Sequence, residues 1–167
     1  MIGGNGNALK GDSNQLSGNI NKLMGDGNIV KGDGNSLLTS FSQVFGNKNI
    51  VLGDNNTVNG SNNQMNGAIN IITGSQNALL GQLNNVQGDF NALIGSLNTV
   101  KGNENVISGG GNNATGDQNK ILGSSNIIQG NTNLLDCNSN SNTINGSSNQ
   151  LVFSNNNTLT GNKNTIQ

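Results

Sequence analysis

Nearly the whole chain can be written as one seven-residue unit, G-x-x-N-x-φ-x, in which φ is an aliphatic residue. From Gly4 to Gln167 there are 23 copies; position 1 is Gly in 20 of them and position 4 is Asn in 22. The frame slips by two residues at 137–138 and by one at Phe153. One such unit is too small to bury a core, so the copies must stack on one another to be stable.

The composition of the heptad argues against a helix and for a strand. A coiled coil needs two apolar positions per heptad. Each Gly inside a helix would also cost about 1 kcal/mol. Side chains alternate along a strand, so positions 4 and 6 would point to one side and positions 5 and 7 to the other. We therefore predict one short strand and one turn in every heptad.

Two heptads are the simplest unit that closes a coil. We predict an all-β protein, a β-solenoid (β-roll or β-helix) with two heptads, about 14 residues, in each coil. It would be a single repeat domain over residues 1–167 with insertions at 137–138 and 153. Gly would supply the positive-φ corner. The Asn amides would form an internal ladder, and the aliphatic residues from Leu9 to Ile166 would form a second one. The alternative, a disordered Gly/Asn tract, would not require an aliphatic residue in every copy.

Composition narrows the functions open to such a solenoid. The net charge is −1, with seven scattered lysines and no arginine, so we expect no nucleic-acid partner. Without His, and with one Cys, the chain offers no nucleophile–base pair and no metal cluster; we predict a protein that is not an enzyme and has no cofactor. We expect no membrane insertion and see no signal peptide, because no long apolar run occurs. Cys137 is expected on the solvent side of a bulge.

Segments such as GDNNTVNG (53–60) and GSLNTVKG (95–102) show a more specific repeat pattern. They resemble the x-x-N-x-V-x-G repeats of the ice-recrystallisation-inhibition or antifreeze proteins of grasses such as ryegrass, and the resemblance covers residues 4–167. It implies a β-roll of roughly 14 to 15 residues per coil with internal Asn and Val ladders. It also implies an ice-binding face of small hydroxylated residues beside the valines.

Alternate heptads place their outward residues on two chemically different faces. The face that begins with the first heptad is apolar at 13 of its 24 outward places. An apolar face of that length exceeds what soluble monomers usually expose, so we expect it to bind a copy of the same chain. The candidate residues of this self-association face are Met24, Leu38, Ile50, Leu52, Leu80, Ile94, Leu122, Leu134 and Val152.

The other face is polar and carries most of the threonines. The resemblance assigns ice binding to those next to core aliphatics, although long side chains such as Lys31 and Lys101 interrupt the array. The candidate ice-binding residues are Thr57, Thr99, Thr115, Thr143, Thr158 and Thr160.

Two corner features remain open. Six aspartates directly follow the corner Gly but do not recur coil after coil, which argues against a calcium-binding roll. Position 3 is apolar at several corners, where the side chain would either seat a partner or pack back onto the corner. The residues are Ile20, Phe41, Ile69, Leu83, Phe90 and Leu97.

Two main functions follow from these patterns. The first is a structural protein that self-assembles end to end and through its apolar face into a filament, coat or surface appendage, for which we expect an extracellular or cell-surface location. End-to-end docking is suggested by the absence of a capping repeat, although a fragment of a longer protein would look the same. The alternative is an ice-binding protein acting through its threonine face. A segment of an adhesin or tail fibre is a third option.

Overall fold

The computed structural model describes residues 2–136 and 138–167. Cys137, for which we expected a solvent-side bulge, lies outside the described residues. The chain divides into two compact units that meet in sequence between Leu83 and Asn84. Every regular element of the described residues is a short β-strand.

The first unit contains twelve strands. They are β1 (Ile2–Gly3), β2 (Ala8–Lys10), β3 (Gln15–Ser17), β4 (Lys22–Met24), β5 (Ile29–Lys31), β6 (Ser36–Leu38), β7 (Gln43–Phe45), β8 (Ile50–Leu52), β9 (Thr57–Asn59), β10 (Gln64–Asn66), β11 (Ile71–Thr73) and β12 (Ala78–Leu80). Odd-numbered strands form one sheet in the order β1-β3-β5-β7-β9-β11, and even-numbered strands form the other, β2-β4-β6-β8-β10-β12. We call them the odd sheet and the even sheet; the even sheet bears the face that was expected to self-associate.

The second unit repeats this arrangement with twelve more strands. They are β13 (Asn85–Gln87), β14 (Ala92–Ile94), β15 (Thr99–Lys101), β16 (Val106–Ser108), β17 (Asn113–Thr115), β18 (Lys120–Leu122), β19 (Ile127–Gln129), β20 (Leu134–Asp136), β21 (Thr143–Asn145), β22 (Gln150–Val152), β23 (Thr158–Thr160) and β24 (Thr165–Ile166). Its odd and even sheets again run in sequence order, and the pairings within them are parallel.

Pairing registers give the length of the coil directly. Leu23 pairs with Leu37 on the next strand of the even sheet. The ladder bond between Asn105 and Asn91 likewise spans 14 residues, which is the length of one coil. At the two insertions the ladder partners are 16 and 15 residues apart instead. The predicted coil of two heptads is therefore confirmed. Both insertions lie in corners that lead from an even strand into an odd strand, before β21 and before β23.

Each heptad places two side chains in the interior, those of positions 4 and 6. Position 6 is buried in all coils except the outermost, with residues such as Val51 and Ile107 at most 1% exposed, while positions 5 and 7 face outward. Position 4 is buried beside it as Asn. Half of the core is therefore polar, which is tolerable only if every buried amide is hydrogen-bonded.

The asparagine ladder meets that condition, as Asn105 illustrates. Its Nδ2 donates to Asn91 Oδ1 at 3.0 Å and to the carbonyl oxygen of Gly116 at 2.9 Å. Its Oδ1 accepts from the backbone N–H of Asn119 at 3.0 Å and from Asn119 Nδ2 at 3.1 Å. Both donors and both acceptors of the amide are used, and no buried side-chain polar atom of the described residues lacks a partner. The predicted internal ladder is confirmed.

Gly at position 1 is needed for two reasons. Gly102, for example, has φ +129°, and a Cβ there would lie 2.1 Å from the carbonyl oxygen of Gly116 in the next coil. The backbone conformation and the close approach of coils therefore both exclude a side chain.

The one heptad without Asn repairs its ladder with two hydroxyls. Thr39 takes the place of the corner Gly, and its hydroxyl group contacts that of Ser42. Thr39 Oγ1 also donates to the carbonyl oxygen of Gly53 at 2.7 Å, the bond that an Asn at position 42 would otherwise make. The two exceptions to the repeat therefore depend on one another.

Candidate functional site

Outward side chains form a two-column grid on each sheet. Neighbouring strands are about 4.8 Å apart, and positions 5 and 7 of one strand are roughly 6.6 Å apart, twice the rise per residue of a parallel strand. Because the ladders tie each coil to the next within a unit, this grid is held by the core and not by the exposed side chains themselves. A rigid, regular surface of this kind suits a partner that is itself regular.

All six candidate threonines lie on an odd sheet, Thr57 in the first unit and the others in the second. Three of them meet. Thr143 pairs with Thr158 on the next strand, and Thr160 lies two residues further along that strand. These three side chains are exposed and form a compact hydroxyl cluster, which we call the threonine cluster.

The remaining threonines are isolated. Thr57 lies between Gln43 and Ile71, and Thr99 lies between two asparagines. Thr115 has Lys101 and Gln129 as its neighbours. The structure therefore brings together half of the predicted residues, and it places longer side chains around the other half.

On the even sheet, the nine apolar candidates are not spread evenly. Seven occupy position 7, at the end of the strand where the corner begins, and only Ile50 and Leu134 occupy position 5. Leu122, Leu134 and Val152 are half-buried, whereas the others are 38–59% exposed. The apolar character is therefore concentrated along one margin of the sheet, and most strongly in the first unit.

A second ladder runs outside the core at position 2, and we did not predict it. The backbone N–H of Asp12 donates to Asp26 Oδ1 at 2.7 Å, and that of Asn103 donates to Asp117 Oδ1, also at 2.7 Å. The aspartates after the corner Gly are thus acceptors for the previous coil. Position 2 is Asn, Asp or Ser in 20 of the 23 heptads, which was the available signal. Among the described residues no group of acidic or sulfur side chains could hold a metal.

Position 3 adopts a left-handed conformation whatever the residue. Among the described residues 21 that are not Gly have positive φ, and 19 of them are at position 3, including the β-branched Ile20 at 56° and Ile69 at 59°. For an L-residue this conformation costs roughly 1–2 kcal/mol, and least for Asn and Asp. Sequence analysis assigned the positive φ to Gly alone and missed this feature, because the side chains at position 3 share no chemistry.

The fold and the ladders define a two-sheet parallel β-solenoid with a polar-apolar core. A family model described as the grass antifreeze beta roll matches residues 1–88, more than half of the 167-residue chain, and the protein belongs to that family. The match confirms the resemblance read from the heptads. No curated protein matches the chain. Among the described residues there is no helix long and apolar enough to cross a membrane.

Proposed function

We propose that this protein binds ice crystals and inhibits their recrystallisation through the threonines of the odd sheet. The observation that carries the proposal is membership of the grass antifreeze beta-roll family. That membership favours the ice-binding interpretation over the filament that the apolar face alone would suggest. The threonine cluster of the second unit supports it, since these are the small hydroxylated residues that the resemblance assigns to the ice-binding face.

The physical reason lies in the stiffness of threonine on a stiff scaffold. A β-branched side chain has few χ1 rotamers, so its methyl and hydroxyl groups are already positioned. Ordering a Lys or Gln side chain would instead cost up to about 2 kcal/mol of rotamer entropy. Thr143, Thr158 and Thr160 therefore present a prearranged patch to a crystalline surface, while the long side chains of the odd sheet do not.

The interruptions set the expected strength of binding. Lys101 is a neighbour of Thr115 in the sheet, and its ammonium group is strongly hydrated. A charged, mobile side chain keeps the adjacent water disordered and holds a flat lattice away from its neighbours. We therefore expect the protein to inhibit the coarsening of small ice crystals and to depress the freezing point only slightly.

A recrystallisation assay on matched lysine variants tests the proposal. Thr158→Lys/Thr160→Lys removes two of the three threonines of the cluster and adds two charges, and Thr165→Lys adds one such charge on the exposed even-sheet side of the neighbouring strand β24. All three positions are outward, so the thermal unfolding midpoint should change little. We expect the double variant to need at least tenfold more protein for the same inhibition, and Thr165→Lys to match the wild type.

Three results would contradict the proposal. One is a wild-type protein without effect on crystal size. Another is a double variant as active as the wild type. The third is a loss of activity in Thr165→Lys alone, which would move the ice-binding surface to the even sheet.

A further inference from the structure

One lateral edge of the first unit is apolar, and neither the core nor the threonine surface uses it. Position 7 of an even strand is followed within four residues by position 3 of the next corner, so the two columns border the same edge. Together they form what we call the apolar edge. Its members are Met24, Leu38, Leu52 and Leu80 at position 7 and Phe41, Ile69 and Leu83 at position 3, each 38–67% exposed.

The opposite edge of the same unit has a different chemistry. There position 7 of the odd strands holds residues such as Ser17, Lys31 and Asn59, and position 3 of the following corners includes Lys48 and Gln76. Ile20 and the half-buried Phe45, at position 7 of β7, are the exceptions on that side. The asymmetry is therefore between two edges as well as between two sheets.

Backbone strain adds to the cost of exposing the apolar residues at position 3 of this edge. Phe41, Ile69 and Leu83 have φ of 55°, 59° and 57°, a region in which Gly or Asn costs less. Gly27 and Asn55 occupy the same column and show that the cheaper residues fit. The Phe41 ring lies against Gly27, where an added Cβ would be 2.8 Å from it, but the side chain is still 67% exposed. In the monomer these residues add strain and gain little burial.

We propose that the apolar edge binds the same edge of a second copy of this chain, forming a two-fold symmetric dimer. About half of each of the seven side chains is exposed; at roughly 150–200 Å² for a whole large side chain, the edge offers about 500–700 Å² per copy. A standard specific interface buries about 800 Å² per partner, and a typical monomer leaves at most about 300–600 Å² in one apolar patch. The area therefore suits a dimer contact.

The shape of the edge also favours an identical partner. A groove of about 380 Å³ lies on the even sheet, where Met24, Leu38 and Leu52 line it together with Lys10 and Lys22. The ring of Phe41, which is 67% exposed, projects from the corner that follows Leu38. In an isologous contact each copy supplies both the projection and the groove. Both copies share the coil spacing of about 4.8 Å, so the columns stay in step along the edge. A flat ice surface would not follow this uneven profile.

The corners that carry Ile69 and Leu83 have uncharged residues at position 2, so a second copy can pair there without like-charge repulsion. Position 2 of these corners is Asp26 in one coil and Asp54 in another, and their Oδ1 atoms accept backbone N–H groups at 2.7 Å. The corners that carry Ile69 and Leu83 have Ala68 and Gln82 instead. The dimer leaves the odd sheet open, so it is compatible with ice binding.

Two isoleucines on opposite edges provide a matched test. Ile69→Asn/Leu83→Asn removes apolar area from the apolar edge, and Ile20→Asn removes the same kind of side chain, at φ 56° and 71% exposed, from the opposite edge. Asn tolerates this backbone conformation, so both variants should fold. By sedimentation velocity over about 1 to 200 μM, we expect a wild-type dimer, at least a tenfold higher dissociation constant for the double variant, and no change for Ile20→Asn.

Several outcomes would overturn the proposal: a wild-type monomer throughout the range, a double variant that dimerises like the wild type, or Ile20→Asn weakening the dimer equally. If the double variant does not fold, Leu80→Lys tests the same edge from an outward strand position, and an unchanged dimer would again refute it. The recrystallisation assay tests the proposed function independently of the dimer. A double variant that is monomeric but still inhibits recrystallisation would leave the proposed function intact.

Discussion

Replacing Asn105 with Leu is the sharpest test of how this fold is held together. Leucine has the same branched set of four heavy side-chain atoms as asparagine and is more apolar, so a core stabilised mainly by hydrophobic burial should accept it. A core stabilised by the amide ladder should not, because Asn105 uses all four of its hydrogen-bonding positions.

The magnitude follows from the groups that lose a partner. The carbonyl oxygen of Gly116 loses its amide donor, and the backbone N–H and one side-chain N–H of Asn119 lose their acceptor. Leaving a buried polar group unsatisfied costs about 1–3 kcal/mol, which gives about 3–9 kcal/mol for three. Burial of the leucine side chain offsets some of this, at roughly 1.5–3 kcal/mol. From the middle of each range, we expect a net loss of about 4 kcal/mol in the free energy of unfolding.

The assay is urea denaturation followed by circular dichroism, with Asn103→Leu as the control. Asn103 lies two residues away, and its Oδ1 accepts the backbone N–H of Asp89 at 2.8 Å, but it is exposed. Water can replace that bond, so the control should lose less than about 1 kcal/mol. An Asn105→Leu protein with a midpoint and m-value like those of Asn103→Leu would refute the ladder argument.

Three further experiments test the corners. Gly102→Ala should lower the free energy of unfolding by more than about 2 kcal/mol in the same urea assay, because φ is +129° and the methyl group would meet the Gly116 carbonyl; an unaffected protein would show that the coils can separate there. Thr39→Gly and Ser42→Asn should each destabilise, while the double variant restores the repeat, with a coupling of about 1–3 kcal/mol in a double-mutant cycle; simple additivity would contradict their interdependence. Ile20→Asn should raise the thermal midpoint through relief of about 1 kcal/mol of backbone strain, and a lowered midpoint would show that the side chain stabilises the monomer.

The coil and its core could be predicted from sequence because their causes are periodic. Gly at position 1, Asn at position 4 and an aliphatic residue at position 6 each recur once per heptad, and every one of them performs one task in every coil. The exceptional heptad follows the same pattern. Ser42 keeps the register, and Thr39 makes the hydrogen bond to Gly53 that an Asn at position 42 would make. The frame slips at 137–138 and Phe153 became longer coils without disturbing the ladder.

The outer features were harder to predict because several residue types perform the same role at positions 2 and 3. The position-2 ladder accepts Asp, Asn or Ser, as Asp26, Asn103 and Ser61 show, so no single letter marks it. Position 3 is left-handed in Ile69 as in Gly27, because the corner path and not the side chain sets φ. For the candidate site, the sequence assigned each threonine to the correct sheet. It did not show by itself that only Thr143, Thr158 and Thr160 form a cluster.

The division of labour within the heptad explains how one scaffold can carry two different surfaces. Positions 1, 4 and 6 fix the coil, and position 2 links coils from outside, which leaves positions 3, 5 and 7 to vary. Because strands alternate between sheets, each of these positions makes two columns, and each column receives one residue per coil. A single substitution therefore changes one column on one sheet or edge and leaves the ladders untouched. Thr158 and Ile69 belong to different columns, so the surface proposed for ice and the edge proposed for a second copy can be altered separately without loss of the fold.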